Sequence, residues 1–287
     1  MMRNAFFKIT RFLALASMVV IVSCKKTLPP QITDKLESSK SEHTFANNDD
    51  VSKSQRIKSL HLGQTNYKVG DTVIFGHYFQ SNIEIKEPIQ WNILEIDSVN
   101  HKMLLLSKYV IDVQPYHKTN TQITWESSSL RTWLNNIFIN QAFTETEQKK
   151  IQMTHLDNQD NPFQVYGTST DNPTCDKIFL LSFSDVYGEN SNSVNGTRYF
   201  NNNNDRKAMT TWFSVHRGIF AYNSETFQAC STTNHNLSEC SAFYWLRSTG
   251  VHANLAMCIQ YGGSIYHFGE YVNNDVIGVR PALWVIY

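Results

Sequence analysis

The stretch FYWLRS, residues 243–248, places an arginine directly behind four apolar residues. The segment GVRPALWVIY, residues 278–287, repeats this arrangement, with Arg280 at the head of an apolar run. Both segments are rich in aromatic and β-branched residues, so both are predicted to be core strands. Pro281 cannot donate to a ladder, which indicates that the final strand is an edge strand or is bulged there.

Arginines in such strands could be catalytic, could contact a ligand or could be structural. An unpaired buried charge costs on the order of several kcal/mol, so each guanidinium needs carboxylates or carbonyls as partners. We interpret Arg247 and Arg280 as structural residues whose aliphatic stems pack on tryptophan, with Trp245 in the same strand. The carboxylates that the sequence offers as partners are Asp185, Glu126 and Asp275.

The other strand predictions rest on the same composition. They cover residues 67–79, 89–97, 102–112, 178–187, 255–261 and 264–268. Gly262-Gly263 predicts a two-residue hairpin between the last two of these strands. The strand at 178–187 is predicted to leave through a turn at Ser184-Asp185.

Three segments carry helix signals. In TWESSSLRTWLNNIF, residues 124–138, apolar residues recur at helical spacing, and Ser127 or Ser128 can cap the helix. Its predicted inner stripe consists of Leu130, Trp133, Leu134, Ile137 and Phe138. Thr144 and Glu147 fit a capping box for a short second helix. DRKAMTTWFSVHR, residues 205–217, predicts a third helix with Ala208, Thr211, Trp212 and Val215 facing inward.

The order of these segments shows little of the strand–helix–strand alternation that implies a parallel sheet. We therefore predict an α+β fold: a single compact domain with mixed or antiparallel sheets and two or three helices. A chain of 287 residues is short enough to form one core.

The composition excludes some classes of partner. The formal net charge is zero, so no global field favours nucleic acid. Charged residues make up 17% of the chain, below the roughly 25% usual for soluble domains, whereas aromatic residues reach 13%. This balance suits an extracellular or binding protein better than a cytosolic enzyme.

The first residues have the pattern of an export signal. Arg3, Lys8 and Arg11 precede the uncharged run FLALASMVVIVS, which is too short to span a membrane and fits a signal-peptide core. The run ends in Ile-Val-Ser-Cys, which resembles the bacterial lipobox. This resemblance implies a signal peptide at residues 1–23, lipid attachment to Cys24 and a protein anchored in the bacterial cell envelope, at the outer membrane or cell surface.

Residues 24–56 are predicted to be the lipidated cysteine and a flexible tether. The stretch after Cys24 is polar, has no apolar period and contains Pro29-Pro30, so it cannot bury enough surface to fold. The globular domain is therefore expected at residues 57–287.

Export would place the four remaining cysteines where disulfides persist. Four cysteines allow three connectivities, and the sequence cannot choose among them. A local bridge between Cys230 and Cys240, which flank a polar loop, is slightly favoured over the alternatives.

The order of motifs in the domain resembles the DUF6273 family of exported bacterial domains. The matching motifs are GDTVIFGHYF, EPIQWNILEID, LLLSKYVIDVQPY, TWESSSLRTWLN, AFTETEQKKI, IFLLSFSDV, YWLRSTG and GVRPALW, within residues 63–287. The resemblance implies no activity, because none is established for the family.

Three features of the chain are also similar to the end of C-type-lectin-like domains. They are the predicted strand that contains Trp245, the hairpin at Gly262-Gly263 and the final strand, which opens with Gly278-Val279-Arg280. The subgroup of formylglycine-generating enzymes and phage-type variable ligand binders is the most similar. This implies a compact α+β domain with a ligand surface on the loops of its second half. Oxidases of that subgroup need two closely spaced copper-binding cysteines, whereas Cys230 and Cys240 are ten residues apart, so that activity is not expected.

The sequence lacks the motifs of serine hydrolases, zinc proteases and phosphate-binding loops. We expect no catalytic residue, metal or cofactor, although calcium could use oxygens at Asn273-Asn274-Asp275 or at 201–205; turns explain both segments equally well. An envelope enzyme remains the alternative, with acid–base candidates Glu126, Asp185 and His216 near Arg247. A structural subunit of an envelope assembly is a third class.

The ligand-binding candidates lie on the segment 251–275. If Ala256, Cys258 and Ile265 face inward, several polar and aromatic neighbours should point outward. These are Gln260, Tyr266, Glu270, Tyr271, Asn273 and Asn274. Tyrosine and asparagine combine rigid contact area with adaptable hydrogen bonding, so we predict a non-catalytic surface for a protein or glycan ligand.

Overall fold

The computed structural model describes residues 58–60, 66–158, 161–163, 172–187, 199–223, 225–233 and 239–287. The predicted signal peptide, Cys24 and the tether lie outside the described residues. Among the described helices, none has the length and apolarity needed to cross a membrane.

Fourteen strands are described. In chain order they are β1 Lys58–Ser59, β2 Thr72–Phe79, β3 Lys86–Asp97, β4 Lys102–Ser107, β5 Asp112–Val113, β6 Thr154–Leu156, β7 Thr174–Asp176, β8 Ala221–Asn223, β9 Cys240–Ala242, β10 Tyr244–Thr249, β11 Leu255–Ile259, β12 Ile265–Tyr271, β13 Gly278–Val279 and β14 Ala282–Ile286.

The described helical elements are short. They are α1 Ser129–Thr132, a π-helical segment Trp133–Phe138, α2 Ile139–Ala142, α3 Glu145–Lys150, α4 Phe183–Tyr187, α5 Asn203–Arg206 and α6 Trp212–His216. The first three follow one another without a break, so they form one helix from residue 129 to residue 142.

Two five-stranded sheets make up most of the fold. The first has the order β1-β2-β3-β4-β14 and the second the order β12-β11-β10-β13-β5. Pairing is antiparallel except between β1 and β2 and between β10 and β13. The predicted α+β class with mostly antiparallel sheets is confirmed.

The C-terminal segment belongs to both sheets. β13 lies between β10 and β5 in the second sheet, whereas β14 pairs with β4 in the first. The chain changes sheets at Arg280-Pro281, where Pro281 donates nothing and its carbonyl accepts the Ser107 N–H at 2.9 Å. β14 is the last strand of its sheet, as the proline predicted.

The core contains the largest aromatic side chains. Trp91, Trp125 and Trp245 are fully buried, and Trp245 donates from Nε1 to the Gln114 carbonyl at 2.9 Å. The Trp245 and Tyr116 rings meet edge to face with centroids 5.8 Å apart. These three tryptophans are therefore part of the core.

The helix at 129–142 departs from its predicted stripe. Ser128 caps it, and Leu130, Leu134 and Phe138 are buried, but Ile137 is 50% exposed. The π-helical segment widens the turn, so Ile139 replaces Ile137 on the inner face beside Phe138. The capping box of Thr144 and Glu147 at the start of α3 is confirmed.

Three other local predictions were wrong. Residues 178–187 form one isolated bridge, between Phe179 and Ala282, followed by α4. Residues 205–217 do not form one helix: residues 207–211 link α5 to α6, and the Thr211 side chain caps a new helix that begins at Trp212. The predicted strand 102–112 ends at Ser107 and resumes as β5.

The hairpin between β11 and β12 has a three-residue loop rather than a two-residue loop. Gln260 N donates to Ser264 O at 2.9 Å, and Gly263 N donates to Gln260 O at 2.7 Å. Gly263 has a φ of +82°, the left-handed conformation that such a loop needs at this position. The loop also packs against α5, where Arg206 Nε donates to the Gly263 carbonyl at 2.9 Å.

Candidate functional site

Arg247 projects from β10 into the core and is only 5% exposed. Its Nη1 donates to Asp185 Oδ2 at 2.7 Å and to the Leu180 carbonyl at 2.9 Å. Its Nε donates to Asn158 Oδ1 at 3.2 Å. Of the three predicted carboxylate partners, Asp185 is the one that pairs with this arginine.

Asp185 is ionised in this pair. Burial alone would raise the pKa of its carboxyl group, but the Arg247 charge and hydrogen bonds from Arg247 and Ser182 lower the pKa below its usual value. The Ser182 N–H and hydroxyl both donate to Oδ2, at 2.8 and 2.9 Å. The pair therefore joins the start of α4 to β10.

Arg280 is held by oxygens other than carboxylates. Its Nε donates to the Ser107 carbonyl at 3.0 Å, and its Nη1 donates to the Arg206 carbonyl and the Tyr244 hydroxyl at 3.2 and 3.1 Å. Its guanidinium carbon lies 5.2 Å from the Tyr244 ring centroid, so tyrosine takes the packing role expected of tryptophan.

A cavity of about 230 Å³ lies beside the Arg247–Asp185 pair. Its polar wall also includes His155, Asp157 and Ser184. His155 Nε2 lies 3.4 Å from Asp157 Oδ1, and both side chains are largely exposed. The Arg247 guanidinium already donates to protein acceptors, so it is not available to bind a ligand in the cavity. The solvent-accessible titratable side chains of the cavity wall are His155 and Asp157.

The acid–base group proposed from sequence is not assembled. Glu126 Oε2 accepts a hydrogen bond from Asn172 Nδ2 at 2.8 Å, and the Glu126 carbonyl accepts one from Arg131. His216 lies at the end of α6 and stacks on Trp212 with ring centroids 5.0 Å apart. Only Asp185 contacts Arg247 as that hypothesis required.

In the described part of the chain, no three histidine, cysteine or acidic side chains are grouped as a metal site would need. The two segments considered for calcium use side-chain oxygens in turns and caps. Asn202 Oδ1 accepts the N–H groups of Asn204 and Asp205, and Asn274 Oδ1 accepts the Val276 N–H.

The six predicted ligand residues lie along the β11–β12 hairpin and the turn after it, and the strand register shows which face two of them share. Tyr266 lies opposite Cys258, and Glu270 lies opposite Ala256. Opposite residues of an antiparallel pair share a face of the sheet. The Tyr266 and Glu270 side chains therefore lie on the same face as Cys258 and Ala256, the residues from which they were expected to point away. Both remain half-buried, and Gln260 and Asn274 are half-buried as well; Tyr271 and Asn273 are exposed.

A row of aromatic side chains crosses this hairpin. We call it the aromatic ridge, and its members are Tyr187, Phe183, Phe163, His267, Phe268 and Tyr266. Neighbouring ring centroids along it are 4.4 to 6.1 Å apart. Phe163 and Phe268 are 43% and 51% exposed, so the ridge presents apolar surface to solvent.

Asn161 fixes the middle of the aromatic ridge. It is buried, and its Nδ2 donates to the Thr249 and His267 carbonyls at 3.1 and 3.4 Å. Its Oδ1 accepts the Phe163 N–H at 2.8 Å, which places the Phe163 ring against His267. The sequence analysis did not identify Phe163, Phe183 and Tyr187, because nothing in their local pattern indicates contact with a hairpin some eighty to a hundred residues away. Phe268 lies between the predicted candidates Tyr266 and Glu270 but was not itself named.

Two features of the cysteines bear on this region. A disulfide joins Cys230 to Cys240, with Cα atoms 6.2 Å apart. Cys258 in β11 carries a free thiol that is fully buried. Burial raises the pKa of this thiol, and the nearby Glu270 charge raises it further, so the thiol is protonated and unreactive at neutral pH.

Comparison with known proteins gives a family but no function. No curated protein and no solved structure matches the chain significantly. A family model described as "Domain of unknown function (DUF6273)" matches residues 100–286. These residues include the Arg247–Asp185 pair, the aromatic ridge and both strands of the C-terminal segment, and the chain therefore belongs to the DUF6273 family.

Proposed function

We propose that the chain is a lipid-anchored protein of the bacterial cell envelope whose domain, residues 57–287, binds a protein or glycan ligand without turning it over. The membrane anchor is the lipid on Cys24, and the tether of residues 24–56 holds the domain away from the membrane. We place the protein at the outer membrane or cell surface, with no nucleic-acid partner.

The aromatic ridge is the observation that supports the binding function. Its two most exposed rings, Phe163 and Phe268, belong to a connected set rather than to scattered single residues. Connected exposed aromatic side chains are typical of interaction surfaces, where they provide large contact area at low entropic cost. Tyr271, which is 55% exposed, lies at the end of β12, the strand that contains Phe268, and extends the surface.

A C-type-lectin-like fold is part of the proposal. It is supported by the α+β architecture, the tryptophan strand and the glycine-containing hairpin. In that fold the ligand surface lies on the second half of the domain, which is where the hairpin part of the aromatic ridge lies.

A second candidate is an envelope hydrolase that uses the cavity beside Arg247. The 3.4 Å contact between His155 and Asp157 at the cavity rim favours it. Turnover of any substrate in a broad hydrolase screen, abolished by His155→Gln, would establish this candidate in place of the binding function.

The binding function can be tested with Phe268→Ala. Full-length protein, purified in detergent, is applied to arrays of glycans and of envelope proteins. We expect at least one retained ligand, and Phe268→Ala should weaken its binding by about tenfold or more, because hot spots at interfaces are dominated by such anchors.

Phe227→Ala is the matched control, because Phe227 is 69% exposed and lies outside the aromatic ridge. It should leave binding unchanged. Wild-type protein that retains nothing on either array, or equal weakening by both substitutions, would contradict the binding function. Recovery of stoichiometric envelope partners with Phe268→Ala unimpaired would instead indicate a structural subunit.

A further inference from the structure

A second, more open depression lies away from the aromatic ridge, between the first sheet and α6. Its volume is about 460 Å³, within the range of roughly 300–1,000 Å³ usual for ligand pockets. Its walls come from β2, β3, the segment after β4 and the start of α6. They are formed by Ile74, Gln80, Ser81, Glu87, Pro88, Gln90, Tyr109, Thr210, Thr211 and Trp212. We call it the Tyr109–Trp212 groove.

Two half-buried aromatic rings stand in this groove. His216 covers one face of Trp212 at a centroid distance of 5.0 Å and an interplanar angle of 8°, so a ligand ring can stack only on the other face. The Lys108 ammonium lies 5.5 Å from the Tyr109 ring centroid and donates to Gln90 Oε1 at 3.1 Å. Both rings are therefore held in place by neighbouring side chains.

Around these rings are polar atoms that the protein does not use. Gln80 spends its amide N–H groups on the Glu87 and Pro88 carbonyls, which leaves its Oε1 as an acceptor. Glu87 accepts the Ser81 N–H with Oε2, which leaves Oε1. Among the described residues, these two oxygens form no hydrogen bond, and neither do Trp212 Nε1, Tyr109 Oη and Gln90 Nε2.

The charge of the groove disfavours an anionic ligand. Glu87 is the one charged side chain among the described residues that line it. The nearest cation named above, on Lys108, is already bonded to Gln90. An anionic ligand such as a phosphate would meet a carboxylate and no unpaired cation here, so its binding is disfavoured.

We propose that the Tyr109–Trp212 groove binds a neutral saccharide. A sugar ring offers an apolar C–H face that can stack on tryptophan or tyrosine, and hydroxyl groups that both donate and accept. Its hydroxyls can therefore donate to Gln80 and Glu87 and accept from Trp212 and Gln90. This combination of aromatic faces, donors and acceptors without net positive charge is the basis of the proposed ligand class.

A proline-rich peptide is the main competitor, because such peptides dock in aromatic-lined grooves. Proline residues have no backbone N–H, so a peptide of this kind would satisfy the Trp212 and Gln90 donors but leave the Gln80 and Glu87 acceptors without partners. Burying unsatisfied acceptors costs free energy, which favours the saccharide.

The test is calorimetric titration of the full-length protein in detergent. The probes are neutral β-linked and α-linked oligosaccharides of glucose, mannose, xylose and N-acetylglucosamine, with a polyproline peptide as the competing probe. We expect one oligosaccharide series to bind and Trp212→Ala to weaken it by about tenfold or more. Glu87→Gln, which keeps the shape but removes the charge, should weaken it less.

Trp284→Ala is the matched control, because Trp284 is another half-buried tryptophan and lies at the Arg247 cavity. It should not change saccharide binding, and Tyr109→Ala, which removes the other ring, provides a second test if Trp212→Ala fails to fold. No heat with any saccharide, binding only of polyproline, or saccharide binding that survives Trp212→Ala and Tyr109→Ala would overturn the proposal. The groove and the aromatic ridge use different residues, so Phe268→Ala should leave saccharide affinity unchanged and the two proposals fail independently.

Discussion

A buried guanidinium is tolerated only where its N–H groups find acceptors, and the two core arginines solve this in different ways. Arg247 uses a carboxylate, a side-chain amide and a backbone carbonyl, whereas Arg280 uses two carbonyls and a tyrosine hydroxyl. Each bond joins the arginine to a segment distant in sequence. At the scale of single residues, both arginines therefore act as ties between elements.

Arg247→Met should lower the stability of the domain by about 3–5 kcal/mol at neutral pH, because it leaves the Asp185 charge buried without its partner. Urea or thermal unfolding measures the loss. Lys102→Met is the control, since Lys102 forms a partly exposed pair with Asp97 at 3.6 Å, and it should change the melting temperature much less than Arg247→Met. Loss of ligand binding by Arg247→Met with unchanged stability would show that the structural role is wrong.

The same variant should behave differently in acid. The folded pKa of Asp185 is lowered, so the stabilisation from its ionised form is present above the unfolded pKa of about 3.9 and is lost as the pH falls through the lower folded value. In Arg247→Met, burial without the arginine raises the Asp185 pKa, so this carboxyl group takes up a proton at a higher pH than in the wild type. The stability difference between wild type and Arg247→Met should therefore narrow as the pH falls from neutral through about 4. A difference that stays constant down to pH 2 would contradict this.

At the scale of elements, strands and capped helix starts were predictable, and the connecting segments were not. β2, β3, β4, β10 and β11 follow from runs of β-branched and aromatic residues, and the capping box at Thr144 follows from two residues three apart. Residues 205–217 were misread because a threonine inside an apparently helical pattern can cap a new helix as readily as it can sit within one. The π-helical segment has no sequence signal of its own, so the exposure of Ile137 could not be foreseen.

The loop between β11 and β12 offers a sharp test at two adjacent glycines. A Cβ added to Gly263 would lie 1.7 Å from the Asn203 carbonyl oxygen, and alanine at this position would have to adopt a positive φ angle. A Cβ added to Gly262 would have no atom within 4 Å. Gly263→Ala should therefore cost about 2 kcal/mol or more, and Gly262→Ala should cost well under half of that. Unfolding curves of the two variants measure the contrast; equal costs would mean that the loop does not rest on α5.

At the scale of the whole molecule, the candidate binding sites could not be read from the sequence. The aromatic ridge combines side chains from residues 163, 183–187 and 266–268, and the Tyr109–Trp212 groove combines four segments between residues 74 and 212. No local pattern brings such segments together, because tertiary packing alone decides which of them meet. The hairpin was nevertheless identified in advance as a surface rich in tyrosine and asparagine.

The proposed membrane anchor is a property of the whole chain and depends on one atom, the Cys24 sulfur. Cys24→Ser should move the protein from the detergent-rich phase to the aqueous phase in a phase-separation assay and remove the lipid mass from the intact protein, since acyl chains supply the membrane affinity. Melting of the domain should not change. Retention in the detergent phase after the substitution would contradict lipid anchoring at Cys24.

The C-terminal segment has a consequence for biogenesis. β13 fills a gap between β10 and β5, and β14 pairs along all five of its residues with β4, so neither large sheet is complete until residues 278–286 have been synthesised. β13 pairs with β5 and β14 pairs with β4, strands that lie far away in the sequence, and such long-range pairing slows folding. If the chain is exported as we propose, a partly translocated chain would lack β13 and β14, so neither sheet could be completed until both strands had crossed the membrane.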